Sequence, residues 1–120
     1  MSEKTVGYGF FKGHRGTLKD LQACVGEGWA DIIETCFNAC VEHDVSVAQV
    51  KEKFGGLRFY VGGAPQEVHD IIDECETLSY KTCEICGDIG KPREGGWIKT
   101  LCDEHETTRY NLSKDARLTR

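Results

Sequence analysis

Apolar residues along this chain recur with two different periods, and the switches between them mark out its elements. Trp29, Ile32, Ile33, Cys36, Phe37, Cys40 and Val41 follow the i, i+3, i+4, i+7 spacing of one helix face, with acids and Asn38 between them. Val68, Ile71, Ile72, Cys75 and Leu78 repeat that spacing after Pro65, which suits a first helical position, and Glu67 puts an acid in the first turn. Between these helices the period falls to two. Val45 to Phe54 and Leu57 to Val61 are β-prone runs around Gly55-Gly56, a hairpin signal. A Gly55-Gly56 turn sets Phe54 opposite Leu57, Glu52 opposite Phe59 and Val50 opposite Val61. One face is then Val50, Phe54, Leu57, Phe59 and Val61, and the other pairs Lys53 with Arg58 and Lys51 with Tyr60. Glu52 is an acid on the apolar face. It requires a different register, a Lys or Arg partner, or a place at the wet edge of the sheet.

Residues 1–16 are rich in Gly and aromatics, including Phe10 and Phe11, and read as an irregular or strand-like arm. Thr17 suits an N-cap, with Asp20 three positions on as in a capping box. Leu18, Leu21 and Val25 give a short helix that stops at Gly26 and Gly28.

Length and composition bound this picture. With 120 residues, 39% apolar and 29% charged, the chain has the size and composition of one globular domain. No apolar run approaches the roughly 20 residues that cross a bilayer, so no membrane partner is expected. The N-terminus lacks the apolar stretch of a signal peptide. That points to a cytoplasmic, reducing setting, where seven cysteines should not form a disulfide framework. An odd count cannot pair off completely, so metal binding comes first.

Cys83-Glu-Ile-Cys86-Gly87 is followed, after fifteen residues, by Cys102-Asp-Glu-His105, which is C-x2-C-x15-C-x2-H. Zinc takes four soft or borderline donors in a tetrahedron. The two-residue gap lets one tight turn aim two side chains at one ion, and Gly87 suits the positive φ such a knuckle needs. The expected cofactor is one structural Zn2+ per chain, held by Cys83, Cys86, Cys102 and His105. Trp97, Ile98 and Leu101 are expected to cover the site. A Cys83-x-x-Cys86 redox centre would need a strand before it and a helix after it.

The remaining thiols and imidazoles read more plainly. Cys36, Cys40 and His43 share a helix stripe, but the two cysteines lie on its apolar face and read as core. Cys75 is likewise a core position, while Cys24 is open. His14, His43 and His69 have no partner at a catalytic spacing, and no nucleophile–base–acid set can be located, so no catalytic residue is assigned.

Charge is spread unevenly. The net −5 combines +2 over residues 46–62, −5 over residues 63–80 and +2 over residues 106–120 with smaller negative balances elsewhere. Lys51, Lys53, Arg58 and Tyr60 on the hairpin, with Arg109 in the tail, form a candidate nucleic-acid or partner contact. Glu67, Asp70, Asp73 and Glu74 on the second helix form a solvated face or an acidic docking surface.

The segment Gln49-Val-Lys-Glu-Lys-Phe-Gly-Gly-Leu-Arg-Phe-Tyr60 resembles the signature hairpin of small bacterial and phage or prophage zinc-ribbon proteins. In these it follows a helix that begins near a Gly-Trp, here Gly28-Trp29. It precedes Cys83 to Gly87, Gly95-Gly96-Trp97, and Thr100-Leu101-Cys102 to His105. The resemblance covers about residues 28–105. It implies a zinc ribbon, often of viral or mobile-element origin, and no activity, so only the four ligands carry over.

The expected fold class is α+β: two amphipathic helices on a small antiparallel hairpin sheet, with a C-terminal zinc knuckle. The expected division is a body over residues 1–80, the knuckle over 81–105 and a basic polar tail over 106–120. Three functions are compatible. The first is a non-enzymatic, stoichiometric binder of a host protein, inhibiting or modulating a defence or gene-expression machine. The second is a nucleic-acid-binding accessory protein that uses the hairpin and tail. The third is a metal-dependent nuclease or hydrolase, which would need an open metal position.

Overall fold

The helical periodicity of the sequence becomes two long helices, α2 (Ala30–Glu42) and α3 (Gln66–Ser79), packed on each other and on a hairpin. A computed structural model of the protein describes residues 3–9, 13–94 and 97–109. Phe10, Phe11, Gly95, Gly96 and the tail from Tyr110 onward lie outside the described residues. Two short strands, β1 (Thr5–Gly7) and β2 (Arg15–Thr17), pair antiparallel and lead into α1 (Leu18–Gln22). The Thr17–Asp20 capping box forms in full, and α1 ends before Val25. A 3-10 turn, Glu27–Trp29, opens α2. The hairpin is β3 (Val47–Lys53) with β4 (Gly56–Val61), and β5 (Lys91–Arg93) pairs with β6 (Lys99–Leu101). Residues 103–109 form a last helix, α4. The architecture is α+β, with three two-stranded antiparallel sheets among the described residues.

The core lies between the helices and the inner face of the hairpin. Trp29, Ile33 and Cys36 of the α2 segment, Val50, Leu57 and Phe59 of the hairpin, and Val68, Ile72 and Cys75 of α3 are all buried in one cluster. Burying each large side chain fully contributes about 1.5–3 kcal/mol. Leu78 departs from the expected apolar face and is half exposed. Pro65 occupies the N-cap rather than the first helical position.

The hairpin turns one residue earlier than the glycine pair suggests. Lys53 pairs with Gly56, Glu52 with Leu57, Lys51 with Arg58 and Val50 with Phe59. The turn residues are therefore Phe54 and Gly55, with φ of 55° and 81°, as a tight two-residue hairpin with both central φ positive requires. At Gly56, now the first residue of β4, a Cβ would overlap the Tyr80 ring. Gly56 is needed for that close approach, and Phe54 takes the left-handed position at a cost of about 1–2 kcal/mol. Phe54 thereby leaves the apolar face and stands 63% exposed at the hairpin tip. Face assignment survives the shift because both strands keep their parity, so Glu52 remains on the inner face.

Candidate metal centre

The cysteine knuckle forms because residues 83–87 turn back on themselves. The Gly87 amide donates to the Cys83 carbonyl at 2.9 Å, and Gly87 has φ of 85°. Cys102 ends the extended chain after β6 and its carbonyl accepts from the Glu106 amide at 3.0 Å. This starts α4 and turns His105 back toward the thiols.

The ligand atoms of Cys83, Cys86, Cys102 and His105 all lie within 4.8 Å of one another. The Cys83 Sγ to His105 Nδ1 distance is 3.5 Å, Cys102 Sγ to His105 Nδ1 is 3.2 Å, and Cys86 Sγ to Cys102 Sγ is 3.7 Å. A tetrahedral ion with bonds of about 2.3 Å to sulfur and 2.0–2.1 Å to nitrogen has edges of about 3.8 Å and 3.6 Å. The four side chains are close enough to bind one metal ion. Cys83 and Cys102 are buried, His105 is half-buried and Cys86 is exposed.

The protonation of the thiols reflects this crowding. Burial pushes the Cys83 thiol up, but backbone hydrogen bonds from Cys102, Cys86 and Ile85 outweigh it and pull Cys83 down to about 6. Cys86 also takes a backbone hydrogen bond at Asp88 that favours its thiolate. Burial and the thiols of Cys83 and Cys102 outweigh it and push Cys86 up to about 12.

Three hydrogen bonds and an ion pair are among the contacts that hold the knuckle on the body. The Gly28 amide donates to the Glu84 carbonyl at 2.9 Å, and Trp29 Nε1 donates to the Thr82 carbonyl at 2.8 Å. Thr100 Oγ1 donates to the Gly55 carbonyl at 2.5 Å. The ion pair is Lys99 Nζ with Glu52 Oε1 at 4.0 Å, and Glu84 Oε1 of the knuckle holds the same Nζ at 2.9 Å. The misfit acid on the inner hairpin face thus has a lysine partner, brought in by β6.

Glu84 was not singled out from the sequence, yet it is 7% exposed and also accepts from the Thr100 amide at 3.4 Å. The signal was its place inside the Cys-x-x-Cys turn. Gly26 and Gly28, expected only to stop the first helix, also pack against the knuckle. A Cβ on Gly26 would overlap the Glu84 carbonyl oxygen, and one on Gly28 the Cys83 carbonyl oxygen. Trp97 does not cover the site. It is 68% exposed, while Leu101 is buried.

The other singled-out residues separate into three places. Cys36, Cys40 and Cys75 are buried core thiols. A hydrogen bond to Cys75 and burial push Cys36 far up, the same bond lowers Cys75, and burial raises Cys40 to about 11. His43 points instead at Glu67, at 3.6 Å. Cys24 lies 2.9 Å from the Tyr8 hydroxyl.

Lys51 and Arg58 are cross-strand partners, with Lys51 Nζ 5.9 Å from the Tyr60 ring centroid. Arg109 sits apart from that pair on α4, donating to the Trp97 carbonyl at 2.6 Å. Glu67, Asp70, Asp73 and Glu74 are exposed along α3.

Fold and site together define a small α+β protein with a Cys3His cluster able to hold one metal ion. Comparison with family models, curated proteins and solved structures found no match. No helix among the described residues is long and apolar enough to cross a membrane.

Proposed function

We propose that this protein is a zinc-stabilised, non-enzymatic binding protein that acts by stoichiometric attachment to a host protein. The observation that supports this reading is the α2–α3 surface. The packed pair carries three acids in α2 and five in α3, with no Lys or Arg in either helix. A shallow cleft of about 240 Å³ runs between them, lined by Asp31, Ile32, Thr35, Glu74, Cys75 and the half-exposed Leu78. An apolar side chain flanked by Lys or Arg is the complementary partner surface.

Zinc is the metal we assign, because three thiolates and one imidazole are its structural donor set. Four protein donors complete a tetrahedral shell and leave no position for water or substrate, which favours binding over hydrolysis. The ion substitutes for a core in a segment too short to build one. The hairpin and Cys/His motifs resemble those of phage or prophage zinc-ribbon proteins. On that ground the target is a host defence or gene-expression machine in the host cytoplasm.

The test is recovery of a saturable one-to-one complex from host lysate, followed by titration of the purified pair. Asp31→Lys with Glu74→Lys should abolish the complex while leaving the melting temperature near that of the parent. A complex indifferent to both charge reversals, or no saturable complex, refutes the reading.

A further inference from the structure

We infer that the tip and outer face of the β3–β4 hairpin, together with Trp97, form a binding site for single-stranded nucleic acid. This goes beyond attachment to a protein at α2–α3, because it uses the hairpin face turned away from the helices.

Three exposed aromatic rings each carry a lysine. Lys53 Nζ lies 5.5 Å from the Phe54 ring centroid, Lys51 Nζ 5.9 Å from Tyr60 and Lys99 Nζ 6.0 Å from Trp97. The rings are 63%, 44% and 68% exposed respectively. Phe54 and Trp97 flank one junction, where Gly55 packs on Ile98 and Thr100. Strand alternation places Lys51, Lys53, Arg58 and Tyr60 on the same outer face, where the Tyr80 ring packs on Gly56 beside them.

Phe54 adopts its exposed position in a left-handed conformation that bulky residues rarely take. Packing does not require a phenyl ring there. Trp97 is anchored from behind, since Arg109 donates to its carbonyl and Lys99 is fixed by Glu84 and Glu52. Lys51, Lys53 and Arg58 have no carboxylate within 4.0 Å among the described residues. They are therefore available to phosphates.

Exposed rings, two of them beside lysines with no carboxylate partner among the described residues, suit unpaired bases and their phosphates. In a duplex the base faces are already stacked on one another, so the rings would have nothing to cover. The site should prefer a single strand and show little sequence preference.

The experiment measures binding of the full-length, metal-loaded protein to a fluorescently labelled oligothymidylate by anisotropy, over a range of salt. The expected result is binding with a log–log salt slope of about −2, from three neutralised phosphates. The unlabelled strand should quench tryptophan emission, which reports on Trp97 because Trp29 is fully buried. Phe54→Gly and Trp97→Ala should each weaken binding about tenfold. Phe54→Gly is the decisive variant: it relieves the left-handed residue, so the protein should melt no lower than the parent while losing affinity. The inference is overturned by no binding at about 50 mM salt, by equal affinity for duplex, or by unchanged affinity in both variants. It is also overturned if these variants abolish capture of a protein partner while the oligonucleotide stays unbound. Failure of the α2–α3 charge reversals bears only on the protein-binding reading.

Discussion

Replacing Gly28 with alanine should separate the metal knuckle from the body. The new Cβ would overlap the Cys83 carbonyl oxygen and lie 2.6 Å from the Gly87 nitrogen and 2.7 Å from the Glu84 carbonyl carbon. All three are backbone atoms of the knuckle, so no side chain can swing aside. Overpacking of this kind costs about 1–3 kcal/mol. Relief by displacement breaks the Gly28 to Glu84 and Trp29 to Thr82 hydrogen bonds, at about 1 kcal/mol each. The expected loss is about 3 kcal/mol or more, lowering the melting temperature by roughly 10–15 °C. Because the displaced segment carries Cys83 and Cys86, a colorimetric chelator should also strip the metal faster. Gly62→Ala is the control, since nothing lies within 4 Å of a Cβ there. Denaturant melts with and without chelator measure both effects. A Gly28→Ala protein within about 0.5 kcal/mol of this control, holding its metal as firmly, refutes the docking argument.

Chelation of the metal should release one equivalent of zinc and lose the structure of residues 81–105, read by circular dichroism and metal analysis. A metal-free protein with an unchanged spectrum contradicts a structural ion. Glu84→Ala should destabilise the fold by about 1–3 kcal/mol in urea melts, because Lys99 loses its nearest carboxylate and the Thr100 amide loses its acceptor. The Asp20 carboxyl is held below its ordinary 3.8, first by the Thr17 backbone amide and then by the Thr17 side chain. Its stabilising contribution is therefore present above pH 3.8 and lost as pH falls through the lower folded value. Asp20→Asn should flatten that part of the melting-temperature profile.

Much of the molecule was legible along the chain because it is local. A single apolar face at helical spacing forces α2 and α3 to pack, whatever they pack against. The C-x2-C and C-x2-H pairs hold their donors within single turns, so their spacing alone implies a common ion. The Thr17–Asp20 cap and the positive φ of Gly87 are likewise set by near neighbours.

Tertiary structure decided what depends on residues far apart in sequence. The turn lies at Phe54-Gly55, and Gly56 enters β4 against the ring of Tyr80, the C-cap residue of α3. Glu52 gained Lys99 from a strand more than forty residues later. Gly26 and Gly28 read as helix breakers along the chain, and in the fold the knuckle packs on both. Trp97, expected to cover the metal site, and Phe54, expected on the apolar hairpin face, stand in solvent, and the turn and β6 meet through the Gly55 carbonyl and Thr100 instead. Periodicity records which face of an element is apolar, while only packing determines which residues are left uncovered.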